Sequence, residues 1–80
     1  MRSRVKVKPR LAWIELEEKE KGQAISRQKL ADTLGVSKQM ISNYFLGKSY
    51  PPADKLFILA KALGRKVDEL YVIEEEEKEK

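Results

Sequence analysis

Lys38, Gln39, Ser42 and Asn43 are donor-rich side chains spaced i, i+1, i+4, i+5, which puts all four on one face of a helix. Gln and Asn amides can bond N6 and N7 of adenine in bidentate fashion, Lys favours O6 and N7 of guanine, and a serine hydroxyl accepts from or donates to several bases. The chemistry open to this set is hydrogen-bonded reading of base edges in a major groove, each bidentate pair giving about 1–3 kcal/mol of discrimination. The plain alternative is a solvated helix face.

The element that must carry these residues is legible around them. Met40, Ile41, Tyr44 and Phe45 repeat the same spacing two residues along, so the helix has an apolar face opposite the donor-rich one. Ser37 is placed to cap it and Gly47 to stop it. A preceding helix can begin at Ser26, bury Leu30, Ala31 and Leu34, and end at Gly35, where a left-handed backbone suits glycine and Val36 covers the turn. Residues 26–47 therefore read as two short helices joined by a tight turn, packed on a core along one side and offered to a partner on the other.

This run, with Leu30-Ala31, Leu34-Gly35-Val36-Ser37, Ile41-Ser42 and Gly47-Lys48, followed by Pro51, Leu56, Leu59 to Gly64 and Glu69-Leu70, resembles the helix-turn-helix of the Cro/C1-type repressor family over residues 10–71. The resemblance implies a compact five-helix bundle of the lambda-repressor-like DNA-binding type. It places Lys38, Gln39, Ser42 and Asn43 against base edges. It also implies that Arg27, Gln28, Lys48 and Ser49 grip phosphates on either side of the groove, contacts that position without specifying. The amides at the start of the first motif helix would add donors and a positive dipole end. Taken singly, Arg27, Gln28 and Lys48 also read as ordinary surface residues.

Two departures from the family pattern stand out. Leu46, on the reading face, occupies a place where a polar residue is more usual; it either touches a thymine methyl or a sugar or, the preferred reading, makes the apolar contact that accompanies a glycine helix stop. Arg65 and Lys66 replace an apolar-then-capping pair after Gly64, which weakens the expected start of the last helix and leaves two cations without an assigned role.

Composition narrows the function classes. With 80 residues, no cysteine and no histidine, the chain reads as one domain, 1–80, without disulfides, thiolate zinc ligands or the commonest metal ligand and general base. No phosphate-binding glycine loop is present, because Gly22, Gly35, Gly47 and Gly64 are dispersed as helix punctuation. A non-enzyme with no cofactor and no metal is expected. No apolar stretch approaches the roughly 20 residues that span a bilayer and the basic start is not followed by an apolar region, so the expectation is a cytoplasmic protein with no membrane association.

Charge is unevenly laid out. The net +4 comprises a basic first ten residues at +5, a 74–80 tail at −3 and +2 between them, and within that middle part the motif over residues 26–49 is +3, where Arg27, Lys29, Lys38 and Lys48 face only Asp32. A positive reading surface attracts phosphate and implies binding that weakens with salt.

The remaining elements support this core, expected over 10–71 between a basic segment 1–9 and an acidic tail 74–80. Residues 11–21 read as an opening helix with Leu11, Ile14 and Trp13 inward and Glu15, Glu17, Glu18 and Glu20 on a solvated face. Residues 53–63 form a helix apolar nearly all round, suited to the middle of the bundle or to a dimer surface, and 67–71 a short last helix. Tyr50 reads as packing first and as a phosphate donor second. At the ends, residues 3–8 alternate charge and apolar side chains while 71–76 are aromatic and β-branched and then acidic, which predicts a two-stranded ribbon with cations facing glutamates, within one subunit or exchanged between two. Competing readings are an N-terminal arm in the minor groove and ends without fixed structure.

The expected function is a sequence-specific transcriptional regulator, a repressor acting as a homodimer on double-stranded DNA. The alternative is a protein-interaction module such as a toxin-neutralising antitoxin using the same fold, supported by Leu46 and helix 53–63. A basic membrane-surface protein has only the first ten residues in its favour.

Overall fold

A computed structural model of the chain describes residues 3–77. In order, these form strand β1 (Ser3–Pro9), helices α1 (Leu11–Glu20), α2 (Arg27–Leu34), α3 (Lys38–Leu46), α4 (Ala53–Leu63) and α5 (Val67–Leu70), and strand β2 (Tyr71–Glu77). Arg2 of the basic start and residues 78–80 of the acidic tail lie outside the described residues.

The local reasons for each helix are those its sequence carries. Ser26 Oγ accepts from the Lys29 amide at 3.2 Å and Ser37 Oγ from the Met40 amide at 3.0 Å, so both motif helices are capped as their sequences imply. Gly35 and Gly47 end them at φ of 72° and 79°, a region that side chains with a Cβ rarely adopt. At Gly47 there is a second constraint, since a Cβ would meet the Pro9 ring at 3.2 Å. The glycine therefore both stops α3 and lets β1 approach its end.

Leu11, Ile14, Leu30, Ala31, Leu34, Ile41, Tyr44, Phe45, Leu59, Ala60 and Leu70 make one buried core, drawn from all five helices. Removing any of its fully buried branched side chains costs about 2–5 kcal/mol in a well-packed interior. α4 offers this core one face only: Leu59 and Ala60 are buried, while Phe57 is 65% and Ile58 40% exposed. It therefore lines the bundle's edge and is not at its middle. The Lys55 ammonium on α4 donates to the Leu34 carbonyl at 3.0 Å, placing a cation at the end of α2.

Three expectations are corrected. Trp13 is 48% exposed, because Leu11 and Ile14 already fill the inward stripe of α1; its ring lies under the Arg10 guanidinium, 4.4 Å from its centroid. The glutamates of α1 are not merely solvated. Arg65 Nη2 donates to Glu17 Oε1 at 2.7 Å and Glu18 Oε2 at 2.9 Å, binding the α4–α5 turn to α1 and holding the Glu18 carboxyl below the usual carboxylate range. Nor is the start of α5 weak, since the Glu69 carboxylate accepts from the Lys66 amide at 2.8 Å.

The terminal segments pair as an antiparallel ribbon within one chain, with Pro9 opposite Tyr71, Val7 opposite Ile73 and Lys6 opposite Glu74. From Ser3 onward the basic segment is thus a strand and not a free arm. Lys8 and Glu74, diagonal across the ribbon, form an ion pair at 3.1 Å, with both side chains more than half exposed. Such a pair adds little stability, and attachment to the bundle matters more. The Arg10 amide donates to the Leu70 carbonyl at 2.8 Å, closing the ribbon's base where both strands leave the core. The fold is thus mostly helical with a small sheet.

Candidate nucleic-acid interface

α3 separates its two faces as the spacing requires. Ile41, Tyr44 and Phe45 are buried and Met40 packs against them. Lys38 and Gln39 are exposed, and Ser42 and Asn43 are partly so. Four polar side chains are thus brought together on the open side of a helix whose other side is anchored in the core.

The four are not independent. Gln39 Nε2 donates to Asn43 Oδ1 at 3.2 Å, one turn apart on the helix. Among the described residues this leaves the Gln39 carbonyl and the Asn43 amide nitrogen without side-chain partners, an acceptor and a donor of the kinds that an adenine edge complements. Ser42 Oγ accepts from Arg27 Nη1 at 3.3 Å. Leu46 is 66% exposed, so it lacks the burial expected of a helix-stop contact and stands open at the end of the same face.

Around this face the structure sorts the expected phosphate ligands. Lys48 is exposed and Ser49 partly exposed, just beyond the Gly47 stop. Gln28 is exposed at the start of α2, with its amide nitrogen 3.0 Å from Asp32 Oδ1. Arg27 is held otherwise: its Nε and Nη2 donate to the two carboxylate oxygens of Glu15, each at 2.8 Å, and its guanidinium carbon lies 4.3 Å from the Phe45 ring centroid. The Glu15 hydrogen bonds raise the Arg27 pKa further above its ordinary value, so the guanidinium is a permanent cation and donor. Glu15 is the residue of this site that sequence reasoning missed. A glutamate among four on a charged helix carries no linear signal of a partner twelve residues away.

A helix-turn-helix family model matches residues 20–70, which takes in α2, the glycine turn, α3, α4 and α5. The chain belongs to the Cro/C1-type helix-turn-helix family. The match covers more than half of the chain and includes every residue placed on the open face. No curated protein matches this helix-turn-helix chain.

Among the described residues no group of His, Cys, Asp and Glu is arranged to hold a metal ion, and no helix is long and apolar enough to cross a membrane. The polar groups of the site are amides, hydroxyls, ammonium groups and the Arg27–Glu15 guanidinium–carboxylate pair, which bind and orient by hydrogen bonding.

Proposed function

We propose that this protein is a sequence-specific DNA-binding transcriptional regulator, acting as a repressor by occupying its operator. The reading face of α3 carries the reading: Lys38, Gln39, Ser42 and Asn43 share one open side of a helix whose opposite side is fixed in the core. In this reading α3 enters the major groove with these four against base edges, and Leu46 meets a thymine methyl or sugar. Gln28, Lys48 and Ser49 contact phosphates, with the amides at the start of α2. Arg27 belongs to the same set by position, although phosphate contact would compete with Glu15 for its guanidinium.

The proposed architecture is a single lambda-repressor-like domain over 1–80, with a working core over 10–71, in a cytoplasmic protein that is not an enzyme and needs no cofactor. One recognition helix covers only a few base pairs, and a two-fold homodimer on a palindrome, with half-sites about one helical turn apart, is the economical remedy. The exposed Phe57 and Ile58 on α4 are the surface we assign to that contact.

A second reading, a protein-binding module such as an antitoxin, draws support from an apolar groove of about 600 Å3 lined by Val7, Tyr50, Pro51, Leu56, Tyr71 and Ile73. Selection of duplexes from a random-sequence library at physiological salt separates the two. One recurring two-fold symmetric sequence supports the regulator, and no motif from folded protein transfers the reading to the module.

A further inference from the structure

Arg27 opens α2 at a place where a cation is expected to meet phosphate, yet its charge is already answered within the chain. Its Nε and Nη2 fork onto the two carboxylate oxygens of Glu15 at 2.8 Å each, and both side chains are less than one-third exposed. Nη1 lies 3.3 Å from Ser42 Oγ, and the guanidinium carbon lies 4.3 Å from the ring centroid of Phe45, itself buried in the core. α1 thus supplies the carboxylate, while α3 supplies the ring and the hydroxyl that keep the guanidinium beside the reading face. A fully exposed ion pair opens readily, but a bidentate pair braced by a ring on one face and a hydroxyl at one end stays formed.

The charge offered to DNA at this point follows from the pair. Opposite charges 2.8 Å apart are much closer than the Debye length of about 8 Å at physiological salt, so a phosphate or counterion outside the pair meets a nearly neutral unit. Salt-dependent affinity counts the phosphates that Lys and Arg neutralise, and a cation compensated within the protein neutralises none. Giving the guanidinium wholly to a phosphate would leave the Glu15 carboxylate unpaired and close to that phosphate, a like-charge contact. Three of the five N–H donors of Arg27 are engaged, so two remain for hydrogen bonding, but they belong to half of a neutral pair.

We propose that Glu15 is part of the DNA interface as a charge-cancelling residue: it holds Arg27 in a neutral pair, so that the arginine adds no counterion release to binding. The inference rests on the DNA-reading role of α3 and takes one cation out of the set that grips phosphates. Residues 26–49 are +3 by sequence; with Arg27 paired to Glu15, +2 remains, from Lys29, Lys38 and Lys48 against Asp32.

The test measures affinity of the full chain for a selected operator duplex from about 50 to about 200 mM salt. Alongside the parent it uses Glu15→Gln, Glu20→Gln and the double variant Glu15→Gln with Arg27→Met, each checked for helical content. Glu15→Gln, close to the parent in shape, should steepen the slope of log affinity against log salt by about 0.9, an extra loss of about 3.5-fold across that range. Glu20→Gln removes the same charge from an exposed position on α1 and should keep the parent slope. The double variant should return to the parent slope; if it does not fold, the comparison of Glu15→Gln with Glu20→Gln still decides. A parent-like slope or weaker binding in Glu15→Gln would make Glu15 a prop for an arginine already on phosphate and overturn the proposal alone. Equal steepening in Glu20→Gln, or a slope that stays steep in the double variant, would assign the effect to overall charge and overturn it too. A parent with no salt-dependent binding to duplex would overturn the DNA reading and the proposal with it.

Discussion

The Tyr50 hydroxyl donates to the Val7 carbonyl at 2.9 Å, joining the segment just after α3 to the middle of β1 across 43 residues of chain. The Tyr50 ring also lies against Tyr71 of β2, with centroids 5.7 Å apart, so one side chain touches both strands of the ribbon. An isolated two-stranded ribbon is marginal in water, and this contact is part of what lets it persist.

Tyr50→Phe keeps the ring contact and deletes the hydrogen bond. The expected cost is about 0.5–1 kcal/mol, the lower part of the range for one such bond because the site is half exposed. Hydrogen exchange provides the check: protection of the Lys6 and Lys8 amides, which share the inward register of the Arg10 amide, should fall while that of core amides such as Ile41 is retained. Equal losses throughout would show that ribbon and bundle form one cooperative unit.

Acid should weaken the attachment of the α4–α5 turn to α1. The Arg65 hydrogen bond lowers the Glu18 pKa in the folded state, so its stabilisation is present above the unfolded carboxylate value and is lost as pH falls through the folded one. Arg65→Met should therefore melt below the parent at pH 7, and the gap should narrow as both are acidified through the carboxylate range of about 4 and below. A gap independent of pH would assign the effect to packing of the arginine stem.

Salt dependence separates positioning contacts from reading contacts. Lys48→Ala should weaken binding evenly across sequences and reduce the slope of log affinity against log salt by about 1, the signature of one lost phosphate contact. An unchanged slope would remove Lys48 from the phosphate set.

The parts of this molecule governed by local rules were legible in the chain. Ser26, Ser37, Gly35 and Gly47 mark the ends of α2 and α3 because capping and left-handed stops need only nearby backbone, and the face of α3 follows from helical period alone. The ribbon was legible from alternation and complementary charge at the two ends. What escaped depends on how helices cross. Trp13 lies outside because Leu11 and Ile14 are enough to fill the stripe of α1, a matter of available core volume. Arg65 finds Glu17 and Glu18 at a separation of nearly fifty residues, and Arg27 finds Glu15 across a helix junction. Long charged side chains choose among partners that only the assembled fold brings within reach, so their pairing leaves no periodic trace.

The most direct test of the account compares the parent with the triple variant Lys38→Ala, Gln39→Ala, Asn43→Ala on a selected operator duplex and on a scrambled duplex of the same length and composition. All three side chains lie on the open face and the helix keeps its buried Ile41, Tyr44 and Phe45, so the variant should fold like the parent. The account predicts that preference for the operator disappears while salt-sensitive binding to both duplexes remains. Preference that survives the loss of all three side chains would contradict α3 as the reading element.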